Sequence, residues 1–184
     1  MAYKLIEGGG VTTPQGFLAG ACYVGVKSRK SEKPDVAIIY SEQPASCAAM
    51  FTTNKFCAAP VILDREILKK GKARAVVINS GNANAATGTQ GIEDAKRVET
   101  EAEKLLNLGE DEVFVCSTGV IGQKLPVEKV LDGVRRIVPE LSKDQGTDAA
   151  WAIMTTDTVR TEVAYEMELS GGTVRIGAMA TGPG

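Results

Sequence analysis

The sequence contains no histidine, and this absence limits the acid–base chemistry that the chain can perform. Histidine is the side chain that most often exchanges protons near neutral pH. If the chain takes part in acyl chemistry, the base must be an amine, a lysine or a carboxylate. The lack of imidazole ligands, combined with the absence of a cysteine cluster, also argues against a transition-metal site.

Cysteine is scarce, and its spacing excludes the common metal and redox motifs. Cys22, Cys47, Cys57 and Cys116 form neither a CxxC pair nor a metal-ligand pattern. Each lies among apolar or small residues, which favours buried free thiols over disulfides. Free thiols are typical of a reducing compartment, so we expect a cytoplasmic protein. We also expect no bound cofactor.

Aromatic residues are scarce, and long apolar runs and an excess of one charge sign are missing. Aromatics make up 5% of the chain and hydrophobic residues 43%, so the core must consist mostly of Ala, Val, Ile and Leu. No apolar run approaches the roughly 20 residues of a membrane helix. The net charge of −2 with interleaved signs provides no basic field for nucleic acid. We therefore expect a small molecule or another subunit as the partner, and no nucleic acid or membrane.

Apolar runs and helical periodicities alternate along the chain. The predicted strands cover residues 17–27, 35–40, 46–52, 59–64, 73–78, 112–116, 161–169 and 173–176. The predicted helices cover residues 65–70, 91–106, 126–139 and 144–154. This alternation predicts a mixed α/β (α+β) fold with layered sheets and helices, and a single domain over residues 1–184.

One turn has the composition of an anion-holding loop. Ser117-Thr118-Gly119 follows a predicted apolar strand, and such a turn can direct N–H groups and a Thr hydroxyl at one point, as an oxyanion hole requires. Two other polar loops, 79–89 and 155–158, also follow apolar segments, where ligands usually sit in layered α/β proteins. Each loop also has a purely structural interpretation as a turn or a helix end.

Other patterns in the chain are weak or absent. Neither a GxxxxGK[ST] nor a GxGxxG spacing occurs, so nucleotide binding is not indicated. We expect no carboxylate pair in an apolar setting that would raise a pKa, and we interpret Asp35, Asp64 and Asp157 as turn or cap residues. The residues alone therefore indicate an oxyanion-type loop without naming a substrate.

Six ordered motifs, spread over nearly the whole chain, carry a family resemblance. They are Gly10-Val11-Thr12-Thr13-Pro14-Gln15-Gly16-Phe17, Phe51-Thr52-Thr53-Asn54, Ala58-Ala59-Pro60-Val61, Asn79-Ser80-Gly81-Asn82-Ala83-Asn84-Ala85, Ser117-Thr118-Gly119-Val120-Ile121-Gly122 and Ala152-Ile153-Met154-Thr155-Thr156-Asp157-Thr158. In this order they resemble the ornithine acetyltransferase (glutamate N-acetyltransferase) family of arginine biosynthesis. The resemblance implies that family's layered sheet-and-helix sandwich.

The resemblance also implies a self-cleaving precursor and a ping-pong reaction. Cleavage at an Ala–Thr bond gives α and β chains, and the new N-terminal Thr of the β chain is the nucleophile. An acetyl group would pass from N-acetylornithine through this Thr to glutamate, and acetyl-CoA is a donor for some members. The implied partner is the β chain, in an α2β2 assembly. The resemblance thus implies a nucleophile outside this chain.

The family motifs imply functional roles for residues in three segments of this chain. The resemblance implies that Thr118 and Gly119 form the oxyanion hole, and that Thr155 contacts substrate, with Thr156 as the second choice. Thr181 is the third candidate for substrate binding, because it stands where the family has a substrate-contacting lysine, although a neutral hydroxyl cannot supply that charge. Another cation, a different substrate or an atypical stretch would account for the change.

Three alternatives accompany this interpretation. Ala180-Thr181 could itself be the scissile pair, although the flanking glycines Gly182 and Gly184 match the family's later loop better. The enzyme could be a related self-processing amidase or aminopeptidase acting on another N-acyl amine. The chain could also belong to a binding or regulatory paralogue that has lost the nucleophile. The simplest expectation is an α chain, or most of one.

Overall fold

The computed structural model describes residues 3–27 and 33–182, which form two sheets and four α-helices within those ranges. The strands are β1 (Tyr3–Ile6), β2 (Phe17–Cys22), β3 (Val36–Ser46), β4 (Lys72–Asn82), β5 (Val113–Val120), β6 (Thr161–Leu169) and β7 (Gly172–Ala180). The helices are α1 (Ala59–Ile67), α2 (Gly88–Leu106), α3 (Val127–Ile137) and α4 (Gly146–Ala152). The predicted mixed α/β class is confirmed.

A four-stranded sheet of order β2-β3-β4-β5 forms the centre of the fold. β3 runs antiparallel to β2 and β4, whereas β4 and β5 are parallel. One face of this sheet is buried under α2 and α3, as periodicity predicts for an amphipathic helix. The shared core includes Val36, Ile38, Val77, Val98, Val113, Val115, Val130, Val134 and Ile137.

The opposite face of this sheet is only partly covered. The short helix α4 packs on its β2 and β3 side, where Ala19, Ala37, Ala149 and Ala152 form a second small core. Toward β4 and β5 the same face presents half-buried apolar side chains in one cross-strand row, Ile39, Val76 and Phe114. We call this row and its neighbours Ile78 and Cys116 the open sheet face.

The second sheet has three strands in the order β1-β6-β7, all antiparallel. β6 and β7 form the hairpin predicted around residues 170–172, whereas β1 was not predicted. Tyr3 and Tyr165 pack edge to face across the β1–β6 pair, with ring centroids 5.7 Å apart. None of the helices in the described ranges is long and apolar enough to cross a membrane.

Two predicted strands are wrong. Residues 59–64, predicted as a strand, form the first turns of α1, because Pro60 occupies its first turn and the buried residues Asp64 and Ile67 lie on its inner face. Residues 47–52 lie within the described part of the chain and contain no strand, since β3 extends to Ser46 instead. The predicted strand 17–27 ends early, at Cys22.

The four cysteines are free, as predicted, but they are less buried than expected. Cys22, Cys47 and Cys57 are half-buried and Cys116 is exposed. Burial raises the pKa of the Cys22 thiol to about 11, so this thiol is protonated at neutral pH.

Candidate functional site

The candidate site lies at the carboxyl ends of the parallel strands β4 and β5. There Ser80 pairs with Thr118 and Gly81 with Gly119, followed by an irregularity in the register at Asn82. Parallel strands bring their carboxyl ends to one edge of a sheet, which is where ligands bind in α/β proteins. Two of the three polar segments singled out in the sequence therefore meet at this edge. They are not the predicted turns: residues 79–82 are the last residues of β4, and residues 117–119 belong to β5.

Gly81 and Gly119 permit an unusually close approach of three backbone segments. Both have positive φ angles, +108° and +135°. A Cβ atom on Gly81 would lie 2.8 Å from the backbone nitrogen of Lys27, and one on Gly119 would lie 2.3 Å from the carbonyl carbon of Gly81. Only glycine fits at these two positions, because both the backbone conformation and the lack of space exclude a side chain.

Buried amides hold the end of β4 and the segment that follows it in shape. Asn79 accepts a hydrogen bond from the Ser117 hydroxyl (2.6 Å) and donates to the Asn82 carbonyl (2.8 Å). Asn82 donates to the carbonyl of Lys124 (3.1 Å), and its side-chain oxygen accepts the backbone N–H of Asn84 (2.8 Å). These bonds satisfy buried polar groups and fix the β4 and β5 loops to each other.

A cleft of about 560 Å³ opens beside this edge. Its lining residues are Lys27, Gly81, Thr118, Gly119, Val120, Thr155 and Thr156. The cleft thus unites the predicted oxyanion turn with the predicted substrate threonines, although the two segments lie far apart in the sequence. It also contains three residues, Lys27, Gly81 and Val120, to which we assigned no role from the sequence.

Lys27 enters the cleft from a loop that a buried carboxylate organises. The fully buried Asp35 accepts the backbone N–H groups of Val24 (2.8 Å) and Lys27 (3.0 Å). The Lys27 ammonium donates to the carbonyls of Pro34 (3.0 Å) and Ala152 (3.3 Å). Its pKa is lowered, mainly by burial, although the nearby charge of Asp35 opposes that change.

The same carbonyl of Ala152 also accepts a hydrogen bond from the Ser80 hydroxyl. Ala152 is the last residue of α4, and the chain continues from there to Thr155 and Thr156. Lys27 and Ser80 therefore tie the end of β4 to the segment that carries the two threonines.

Thr181 is near this segment but does not line the cleft. Its hydroxyl donates to Asp157 (2.8 Å), which also accepts the backbone N–H groups of Thr155 (3.0 Å) and Gly182 (3.1 Å). The hydrogen bonds from Gly182, Thr155 and Thr181 lower the pKa of Asp157 to about 2. Asp157 thus joins the end of β7 to the threonine segment, which extends its predicted role as a turn or cap residue.

Two separate buried carboxylates of the described residues have raised pKa values, and both lie away from the cleft. One of them, Asp64, lies inside α1 and is not the predicted turn or cap residue. Burial raises the pKa of Asp64 on α1 to about 7, although its carboxylate accepts the backbone N–H of Val115 (3.0 Å). Burial also raises the pKa of Glu99 on α2 to about 7, and Lys96 opposes this rise. Among the described residues, no group of three or more His, Cys, Asp or Glu side chains could hold a metal ion.

Fold and site together define a mixed α/β protein in which a Thr-Gly pair near the end of β5 lines a cleft at the carboxyl ends of two parallel strands. The sequence profile of the ArgJ family matches residues 18–184. The chain belongs to the ArgJ family, which confirms the resemblance found in its motifs.

Several curated relatives are similar over nearly the whole chain. The arginine biosynthesis bifunctional protein ArgJ of Caldanaerobacter subterraneus is 50% identical over 176 residues, covering 96% of this chain and 43% of that protein. The chloroplastic ArgJ of Zea mays is 44% identical over 185 residues, covering 99% of this chain and 39% of that protein. The chain therefore spans less than half the length of these curated relatives.

Solved structures share the fold closely. The crystal structure of ArgJ from Bacillus halodurans has a TM-score of 0.91 at 36% identity, covering 100% of this chain and 95% of that one. Ornithine acetyltransferase from Mycobacterium tuberculosis, solved in complex with ornithine, has a TM-score of 0.90 at 39% identity, covering 100% of this chain and 96% of that one.

Proposed function

We propose that this chain is the α subunit of an acetyltransferase that moves an acetyl group from N-acetylornithine to glutamate in arginine biosynthesis. One observation carries the proposal: Thr118 and Gly119 line one cleft with Thr155 and Thr156, in a chain of the ArgJ family. The similarity to an ornithine acetyltransferase that binds ornithine supports the substrate class.

The proposed reaction uses a Thr nucleophile at the N-terminus of a separate β chain. Its hydroxyl oxygen attacks the acetyl carbonyl of N-acetylornithine, and its own α-amine, with an ordinary pKa near 8, accepts the hydroxyl proton. The C–N bond then breaks, and ornithine leaves with that proton on its nitrogen. In the second half, the neutral glutamate amine attacks the acetyl-Thr ester, the ester C–O bond breaks, and the proton lost from the glutamate nitrogen passes through the Thr α-amine to the released Thr oxygen. No histidine is needed in either step.

The oxyanion that forms in each half-reaction needs hydrogen-bond donors. The hydroxyl of Thr118 and the backbone N–H of Gly119 are the proposed donors, and the glycine contacts at Gly81 hold this turn in place. Thr155 is the proposed substrate contact, with Thr156 beside it in the cleft. Thr181 would act on substrate only indirectly, through Asp157 and the Thr155 segment. Acetyl-CoA is a further candidate acetyl donor.

The proposed partner is the β chain, in an α2β2 assembly. Two observations support a large partner: the chain spans less than half the length of its curated relatives, and the open sheet face leaves apolar side chains half-buried. Parallel strands such as β4 and β5 are normally covered on both faces. A second layer from the β chain would cover this face.

The test is acetyl transfer by the complete αβ protein. Incubation with N-acetylornithine should give ornithine and an acetylated β chain, seen by mass spectrometry as an acetyl group on its N-terminal Thr. Addition of glutamate should then remove that group and produce N-acetylglutamate. A protein that releases ornithine without acetylating glutamate, even when glutamate is saturating, would contradict the proposal.

A second candidate function is hydrolysis of another N-acyl amine. The neutral Thr181, at the position where the resemblance implies a lysine, favours this alternative. Comparing free acetate with N-acetylglutamate as products discriminates between the two functions, because an amidase transfers the acyl group to water. We expect N-acetylglutamate to be the main product.

A further inference from the structure

Lys27 is the single charged residue among the seven described residues that line the cleft. We propose that its ammonium binds the α-carboxylate of the amino-acid substrate. This inference rests on the proposed function, since it supplies the cation that Thr181 cannot provide. It assigns a binding role to a loop far in sequence from the Thr-Gly turn.

The geometry of the ammonium leaves room for such a ligand. An ammonium group has three N–H donors, and in the described part of the chain two of them are used by the carbonyls of Pro34 and Ala152. These two bonds aim the group without neutralising it, because a carbonyl has no net charge. One donor and the positive charge remain for an anion in the cleft.

The surroundings of Lys27 also favour an anionic ligand. The side chain is half-buried, and burial lowers its pKa by penalising the charged form. Both carboxylate oxygens of Asp35 already accept backbone N–H groups, so this carboxylate is committed to the loop. A substrate carboxylate in the cleft would form a charge-assisted hydrogen bond, which is stronger than a bond between neutral groups.

The chemistry of both half-reactions points to the α-carboxylate in particular. N-acetylornithine and glutamate differ in their side chains but share an α-nitrogen and an α-carboxylate. The acetyl group sits on that α-nitrogen, so the α-carboxylate lies only a few bonds from the carbonyl that Thr118 and Gly119 would polarise. A fixed cation in the same cleft can therefore serve both substrates.

The experiment compares a carboxylate with a carboxamide. N-acetylornithine and N-acetylornithine α-amide are assayed with the wild-type αβ protein and its Lys27→Met variant. We expect the variant to lose about 10- to 100-fold in kcat/KM on the carboxylate, mainly through KM, and to lose little on the amide. Equal losses on both substrates, or no loss on the carboxylate, would overturn the proposal.

Two further variants separate binding from folding. Lys129 also anchors this loop, by donating to the carbonyl of Gly25 (2.7 Å), but it is not among the described lining residues. Lys129→Met should keep the wild-type preference for the carboxylate, and a loss of that preference would contradict a specific role for Lys27. If Lys27→Met does not fold, Lys27→Arg keeps the charge and should still favour the carboxylate, whereas an equal response to both substrates would overturn the proposal.

Calorimetry measures binding without requiring acetyl transfer, so it tests the carboxylate site separately from the proposed function. A wild-type protein without transfer activity would refute the proposed function. Tighter binding of N-acetylornithine than of its α-amide, with the difference lost in Lys27→Met, would still support the carboxylate site. Equal wild-type affinities for the two compounds would refute the site, even in an active enzyme.

Discussion

At the level of single residues, the hydroxyl of Thr118 is the group most directly coupled to the proposed chemistry. Thr118→Ala removes one oxyanion donor and leaves the backbone donor of Gly119. Loss of one such donor typically costs about 3 kcal/mol, so we expect kcat for acetyl transfer to fall about 100-fold or more, with little change in KM. Steady-state kinetics of the αβ protein measure both constants.

The matched control is Thr118→Ser, which keeps a hydroxyl at the same position and should retain most of the rate. An alanine variant with wild-type kcat would show that Thr118 is not an oxyanion donor. A serine variant as slow as the alanine variant would instead indicate that the methyl group of Thr118 positions the turn.

Asp64 gives a residue-level prediction about pH. Its pKa rises from the ordinary value of 3.8 to about 7 in the folded protein, because the carboxyl is buried. Between about pH 4 and pH 7 the unfolded chain therefore loses this proton while the folded chain retains it. The contribution of Asp64 to stability should fall as pH rises through this window and level off above it.

Urea unfolding at several pH values measures this effect. Asp64→Asn keeps a side-chain oxygen for the Val115 N–H and removes the titration, so its free energy of unfolding should decline less between pH 4 and pH 7. Glu99 contributes a decline of the same sign, and the comparison with wild type isolates Asp64 from it. Identical pH profiles for wild type and variant would contradict the assignment.

At the level of elements, the ends of β4 and β5 depend on Gly81. Gly81→Ala places a Cβ atom 2.8 Å from the Lys27 backbone nitrogen, at a φ of +108°. We expect a loss of about 2 to 4 kcal/mol in the free energy of unfolding, together with lower activity, because the Lys27 loop or the strand end must move. Urea unfolding and kinetics test the two effects separately.

Gly71 provides a control for this substitution. It also has a positive φ, +67°, but a Cβ atom there meets nothing within 4 Å. Gly71→Ala should therefore cost only about 1 kcal/mol, and it should leave activity unchanged, since the turn after α1 lies outside the cleft. Equal losses of unfolding free energy in the two variants would show that contact with the Lys27 loop adds nothing to the cost of Gly81→Ala.

The elements that the sequence predicted correctly are those with a clear period and clear ends. α2 and α3 present one apolar face each, and the apolar parts of β4 and β5 were predicted as strands. Both strands continue beyond the prediction, through polar residues, to Asn82 and Val120. The apolar residues 59–62 fit a strand as well as a helix. Only the packing of α1 against α2 and β5 selects the helix, and this information is not local.

The candidate site also contains both residues that the local sequence predicts and residues that only the folded structure reveals. Thr118, Gly119 and Thr155 could be predicted because hydroxyl-bearing turns follow apolar segments and match family motifs. Lys27 could not, because the sequence assigned it to the end of a strand. Its place in the cleft arises from the hydrogen bond of its backbone N–H to Asp35, eight residues further along the chain, and from contact with the distant Gly81.

At the level of the whole molecule, the two faces of the central sheet differ in how completely they are buried. α2 and α3 bury one face completely at Val77, Val113 and Val115, whereas the seven-residue α4 covers only part of the other. A parallel pair such as β4 and β5 with one half-exposed apolar face is unusual for a protein that functions alone. We therefore expect the open sheet face to form the interface with the β chain.

Val76→Glu tests this interface, because Val76 lies between Ile39 and Phe114 in the middle of the open sheet face. A carboxylate buried against an apolar layer would be strongly destabilising, so we expect the affinity for the β chain to fall at least 100-fold, measured by co-purification and sedimentation. Because Val76 is only half-buried, the α chain should stay folded, which circular dichroism checks.

Leu105→Glu, at an exposed position on α2, is the matched control and should leave the complex intact. An undiminished complex in Val76→Glu would place the interface elsewhere, because no apolar layer could tolerate an unpaired charge at that position.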